Sequence, residues 1–236
     1  TGDTFQFLVD ALPDRYTCVA PDWRGFGRSA WPADGYWFAD YYADLEALLD
    51  HFAPGLAVTL VGHSMGGTVS LSVAIQYPER VQKVTVIGSP IHGSSLAPML
   101  KMAGLRPIAW LLFSFFPLFR MGMRLYSPLI SRAKNFSDMM DRDLSKTTLE
   151  SFLISIATLR KTDLRPNLNK VTVPVMGMYG DRDIIVHPRQ WQPLQKGVPH
   201  ARIERFAQSG HFIMMDEPKP CMDKLKVFLD SPAPPR

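Results

Sequence analysis

The run Gly62-His63-Ser64-Met65-Gly66-Gly67 constrains this 236-residue chain more than any other stretch. An apolar run, residues 57–61 (AVTLV), leads into it, and residues 68–76 (TVSLSVAIQ) leave it as a predicted helix. A strand that is apolar along its whole length fits a sheet covered on both faces. A strand that turns at once into a helix belongs to a βαβ unit, and so to a parallel sheet. The turn has to be tight. Gly62 and Gly66 are expected to let strand and helix approach closely, with Gly67 assisting.

The rest of the chain alternates in the same way. Residues 5–12, 39–52, 189–196 and 219–229 have helical spacing. Residues 16–20 (YTCVA), 81–88 (VQKVTVIG), 173–179 (VPVMGMY) and 201–206 (ARIERF) are predicted strands. The fold class expected is α/β, a mostly parallel sheet with helices on both faces. Between residues 91 and 169 no strand is predicted, and helical runs at 107–119, 121–130 and 147–161 are separated by prolines and polar turns. The expected organisation is a sheet core from residues 1–90 and 170–236, with residues 91–169 inserted as a helical cap.

Composition excludes some classes of function. Hydrophobic residues at 46% and charged residues at 20% call for a packed core and rule out bulk disorder. The net charge of +4 is not gathered into a Lys/Arg block, so no nucleic-acid partner is expected. Cys18 and Cys221 are too few and too far apart for a disulfide framework or a metal cluster. They are expected as buried or half-buried free thiols in a reducing, cytoplasmic setting. The longest apolar run, residues 108–119, is shorter than the ~20 residues that span a bilayer.

The turn at Ser64 fits G-x-S-x-G, and its strand–turn–helix context marks Ser64 as a nucleophile. It carries neither the P-loop pattern nor the G-x-G-x-x-G of a dinucleotide site. A serine hydroxyl attacks poorly until a base takes its proton. Of six histidines, His211 is the best base. It lies in the loop 207–212 (AQSGHF) at the carboxyl end of the last predicted strand, where sites of parallel sheets form. The acid belongs in the loop 180–186 (GDRDIIV). Asp183 is preferred over Asp181, because Ile184-Ile185-Val186 would bury it beside the imidazole. Asp181 is expected to pair with Arg182 or water, and His187, before Pro188, to cap the next helix.

Four motifs in order, DWRGFGRS, GHSMGG, GDRDIIV and SGH, together resemble the α/β-hydrolase superfamily, in its lipase, esterase and carbon–carbon hydrolase branch. The resemblance covers essentially the whole chain. It implies a Ser64–His211–Asp183 triad, a cap over the pocket, and no metal or cofactor. It also implies an oxyanion hole with one donor from the Met65 backbone N–H and a second from a His-Gly loop. Family members carry three further strands before the first helix seen here, and that loop ends the third. The second donor is therefore expected in an N-terminal loop upstream of Thr1, and a gap is expected between the strands at 16–20 and 57–61.

The reaction expected is hydrolysis of a carboxylic ester through an acyl-enzyme. Carbon–carbon cleavage, thioester hydrolysis and perhydrolysis are alternatives on the same triad. A non-catalytic binding protein is the alternative from another class, and three filled triad positions argue against it. The aromatic run 108–119, flanked by Arg106, Arg120, Arg124 and Arg132, is expected to pack on the core and line a pocket for an apolar acyl or aromatic substrate. A lid in transient contact with a lipid surface is the second reading of the same run.

Overall fold

The computed structural model describes residues 1–103 and 105–232. Four strands, β1 (Val58–His63), β2 (Val81–Ile87), β3 (Val175–Gly180) and β4 (Arg202–Phe206), form one sheet in the order β1-β2-β3-β4. Every neighbouring pair is parallel. The helices are α1 (Gln6–Ala11), α2 (Phe38–Phe52), α3 (Met65–Gln76), α4 (Pro98–Ala103), α5 (Arg106–Ser114), α6 (Phe116–Ile130), α7 (Phe136–Leu144), α8 (Leu149–Lys161), α9 (Trp191–Gly197), α10 (Ile213–Asp216) and α11 (Pro218–Asp230).

Alternation along the central strands divides the core in two. Val84 and Val86 of β2, with Val175 and Tyr179 of β3, pack with Val69 and Val73 of α3 and Leu194 of α9. Ile87, Met176, Met178 and Phe206 face the other way, against Leu8, Ile213, Leu225 and Phe228. Both faces of the sheet are thus covered, as the apolar strands require. Lys83 on β2 is an exception that the hydrophobic pattern does not announce. Its side chain is buried, and its Nζ donates to the carbonyls of Phe228 (2.9 Å) and Leu229 (2.7 Å) at the end of α11, and to that of Ser231.

Residues 16–20 form no strand. Among the described residues β1 pairs with β2 alone, and no ladder joins 16–20 to it. An extended segment becomes a strand only when its N–H and C=O groups find a partner backbone. Without a sheet face to lie on, Val19 and Cys18 are exposed, so of the two expected buried thiols only Cys221 is one.

Between β2 and β3 the elements formed by the described residues are all helical, but the helices break elsewhere than the prolines suggest. The expected helix 107–119 ends at Ser114, and α6 starts at Phe116 with Pro117 in its first turn, where a missing N–H costs nothing. Pro128 lies inside α6. It cannot donate to the carbonyl of Arg124, and the Ser127 hydroxyl donates there instead at 2.7 Å. Helix α7, which the pattern did not announce, packs Phe136 and Met139 against Ile130 and Met123 of α6. Trp110, Leu111, Phe115 and Leu118 of the aromatic run are exposed rather than packed on the core. No helix among the described residues is long and apolar enough to cross a membrane.

Candidate active site

Loops at the carboxyl ends of the four strands converge, as in open parallel sheets. Ser64 follows β1 directly and caps α3 with φ 52° and ψ −120°. It is the one non-glycine residue at positive φ among the described residues. A side chain held there costs about 1–3 kcal/mol and persists only where the surroundings impose it. The surroundings do so through close backbone approach. A Cβ on Gly62 would lie 2.4 Å from the backbone of Gly66 and Gly67, and one on Gly67 would lie 2.0 Å from Ser89 Oγ. Gly66, expected to serve the same end, would meet only Trp23 Nε1 at 3.8 Å, an ordinary contact. The Ser64 N–H donates to the Ile87 carbonyl at 2.9 Å, pinning the turn to β2. Met65 begins α3, so its N–H is among those without a partner inside the helix.

Asp183, after β3, and His211, after β4, meet in a buried pair. His211 Nδ1–H donates to Asp183 Oδ2 at 2.7 Å, and both side chains are at most 5% exposed. The other carboxylate oxygen, Oδ1, accepts the N–H groups of Ile185 (2.8 Å) and Val186 (2.9 Å). Both carboxylate oxygens are thereby engaged, and the imidazole tautomer is set with Nδ1 protonated and Nε2 left to accept. Asp181 turns away to the surface and pairs with Arg205, not Arg182, which reaches Gln208. His187 accepts the Arg189 N–H at 3.2 Å and caps the next turn as expected. The acid loop is also tied to the start of the helical segment: the N–H of Ala97 donates to Ile185 (2.8 Å) and that of His187 to Ser95 (2.9 Å).

Residues 3–218 match the family described as serine aminopeptidase, S33. The chain belongs to this family of α/β-hydrolases. Among curated relatives it is 27% identical to 3-oxoadipate enol-lactonase 2 of Acinetobacter baylyi, covering 91% of this chain and 79% of that one. It is also 27% identical to lipase 3 of a Moraxella species, over 97% and 73%. Among solved structures, an esterase from Exiguobacterium antarcticum superposes with a TM-score of 0.82 at 20% identity, covering 98% and 88%, which shows the shared fold.

Three further residues hold the His211–Asp183 pair or its loop, to which the sequence reading assigns no role at the site. The His63 ring lies 4.7 Å from that of His211, and its Nε2–H donates to the His211 carbonyl at 2.9 Å. Burial, and next the neighbouring His211, hold the His63 pKa well below the usual histidine value, so it stays neutral. Gly88, at φ 56°, ends β2 against the pair, with its missing Cβ 3.3 Å from His211 Nδ1. Asp216 accepts the Gly210 N–H at 2.7 Å and holds the histidine loop. The position of His63 inside GHSMGG could have drawn notice. Nothing local marks Asp216.

Proposed function

We propose that this α/β-hydrolase is a serine hydrolase that cleaves carboxylic esters through Ser64, His211 and Asp183. The observation that carries the reading is the strained backbone of Ser64 at a strand-to-helix turn, in a chain that also buries a committed His211–Asp183 pair. His211 Nε2 takes the Ser64 hydroxyl proton as Oγ attacks the ester carbonyl. Asp183 stabilises the imidazolium without itself being protonated. The Met65 N–H, at the positive end of α3, stabilises the oxyanion. His211 then returns the proton to the leaving alcohol, and water repeats the sequence on the acyl-enzyme.

The substrate class we favour has an apolar acyl or aromatic part. The support is the composition of the cap, residues 91–169 on this reading, with the core supplied by 1–90 and 170–236. The relatives named a lipase and an enol-lactonase support acyl transfer from an ester oxygen. A fluorophosphonate probe should label the wild-type chain and not Ser64→Ala. p-Nitrophenyl esters of increasing acyl length should be cleaved by the wild type only. Undiminished turnover by Ser64→Ala would remove the mechanism.

A further inference from the structure

The outer surface of α4–α6 does not resemble the outside of a water-soluble domain. Ten of the eighteen large hydrophobic side chains exposed among the described residues fall between Met99 and Leu129. On α6, Leu118, Met121, Leu125 and Leu129 are spaced by three, four and four residues, which aligns them on one stripe. The stripe faces solvent: Leu118 is 61% exposed, Leu125 78% and Leu129 62%. The opposite stripe, Met123, Tyr126 and Ile130, already packs on α7, so α6 is apolar on two sides and has a partner on one. Trp110 on α5, 63% exposed, and Phe115 just after it add two exposed aromatic rings before α6. Exposed large apolar side chains concentrated in this way mark a binding face.

Charge decides what binds there. From residue 98 to 135 the sequence carries six Lys and Arg and no Asp or Glu. Arg120 and Arg124 are paired with Asp141 and Asp138 of α7. Arg132 and Lys134, just past the end of α6, are exposed and their side chains form no ion pair among the described residues. A second copy of the chain would bring the same cationic rim against this one, which like charges disfavour. An anionic lipid surface offers both apolar depth and opposite charge. At 15 residues, about 22 Å long, α6 can lie in the headgroup layer but cannot span.

We propose that the outer face of α4–α6 docks on the surface of a membrane containing anionic lipids, with Leu118, Leu125 and Leu129 entering the acyl boundary and Arg132 and Lys134 meeting headgroups. This does not depend on the hydrolase reading. The test is co-sedimentation of the full chain with phosphatidylcholine vesicles, with and without phosphatidylglycerol. Wild type should partition onto the anionic vesicles, and more weakly as salt is raised. The double variant Leu118→Asp/Leu125→Asp should partition at least ~10-fold more weakly. Arg132→Glu/Lys134→Glu should lose the preference for anionic vesicles, also on the order of 10-fold. All four side chains are exposed, so thermal melts by circular dichroism should match wild type. If the leucine pair fails to fold, the charge pair carries the test. Wild type that stays in the supernatant with both vesicle types overturns the proposal. So does a dimer in sedimentation equilibrium that the leucine variant converts to monomer without any vesicle binding, since a second copy would then own the face.

Discussion

Asp216 Oδ2 accepts the Gly210 N–H at 2.7 Å, one residue before His211. Its other oxygen accepts the Ser131 hydroxyl at 2.6 Å and the Arg132 N–H at 2.7 Å, beyond the end of α6. The His211 N–H itself donates to the Ile130 carbonyl at 3.2 Å. One carboxylate therefore joins the histidine loop to the end of α6. Asp216→Ala should leave these donors short of an acceptor and cost roughly 1.5–3 kcal/mol, the range for hydrogen bonds to a charged group. Urea unfolding measures this. At urea-free conditions kcat on a short p-nitrophenyl ester should fall as well, with Asp216→Asn intermediate on both readouts.

Gly88 lies at φ 56°, where a side chain is strained whatever the space. A Cβ there would also stand 3.1 Å from the His211 carbonyl oxygen, 3.3 Å from Nδ1 and 3.5 Å from Asp183 Oδ2. Gly88→Ala should displace the imidazole by a fraction of an ångström. Misplacement on that scale lowers turnover on the order of 10-fold or more. Steady-state kinetics should show the loss in kcat, with fluorophosphonate labelling of Ser64 slowed in parallel.

What the sequence made legible follows from how local each signal is. The tight turn at Ser64 is legible because an apolar strand, a Gly-rich turn and a helix are contiguous. That Asp183 and His211 would pair is legible because each sits in a short loop directly after an apolar strand, and Asp183 has Ile184-Ile185-Val186 beside it. YTCVA at 16–20 has the composition of a strand but forms none, because strand formation depends on a neighbouring backbone that composition cannot supply. The run 108–119 was read as packed core on hydrophobicity alone, which does not say which side of a helix is covered. Asp216 and His63 act through distant backbone groups at Gly210, Ser131 and His211, and these exist only in the folded chain.

His63 makes a prediction about pH. In the fold its pKa is held well below the usual value, first by burial and then by His211, whereas in the unfolded chain it titrates near ~6.5. As pH falls through ~6.5 the unfolded state takes up a proton that the folded state refuses. The stability linked to His63 is therefore complete above that value and lost below it, by up to about 1.4 kcal/mol per pH unit. Urea midpoints between pH 8 and pH 5 should drop more steeply for wild type than for His63→Gln. Equal slopes would mean that His63 accepts a proton in place.

Lys83 separates stability from catalysis. It lies on β2, and its Nζ donates to the last carbonyls of α11, at Phe228 (2.9 Å) and Leu229 (2.7 Å), and to Ser231 beyond the helix. Those carbonyls have no partner inside the helix and carry the negative end of its dipole. The loops of Ser64, Asp183 and His211 leave the carboxyl ends of the strands, while Lys83 is near the amino end of β2, paired in register with Thr59. Lys83→Met keeps most of the buried stem but takes the donor from the Leu229 and Ser231 carbonyls, while the Phe228 carbonyl keeps the Ser231 hydroxyl at 2.7 Å. The expected cost is roughly 1.5–3 kcal/mol in urea unfolding. Because α11 packs Leu225 and Phe228 on the sheet face opposite α3, the loss should appear as a lower midpoint with kcat/KM unchanged in the folded protein. A folded Lys83→Met protein with a wild-type urea midpoint would show that the three carbonyls are satisfied without it. One with a normal midpoint but depressed kcat/KM would instead place Lys83 in communication with the triad.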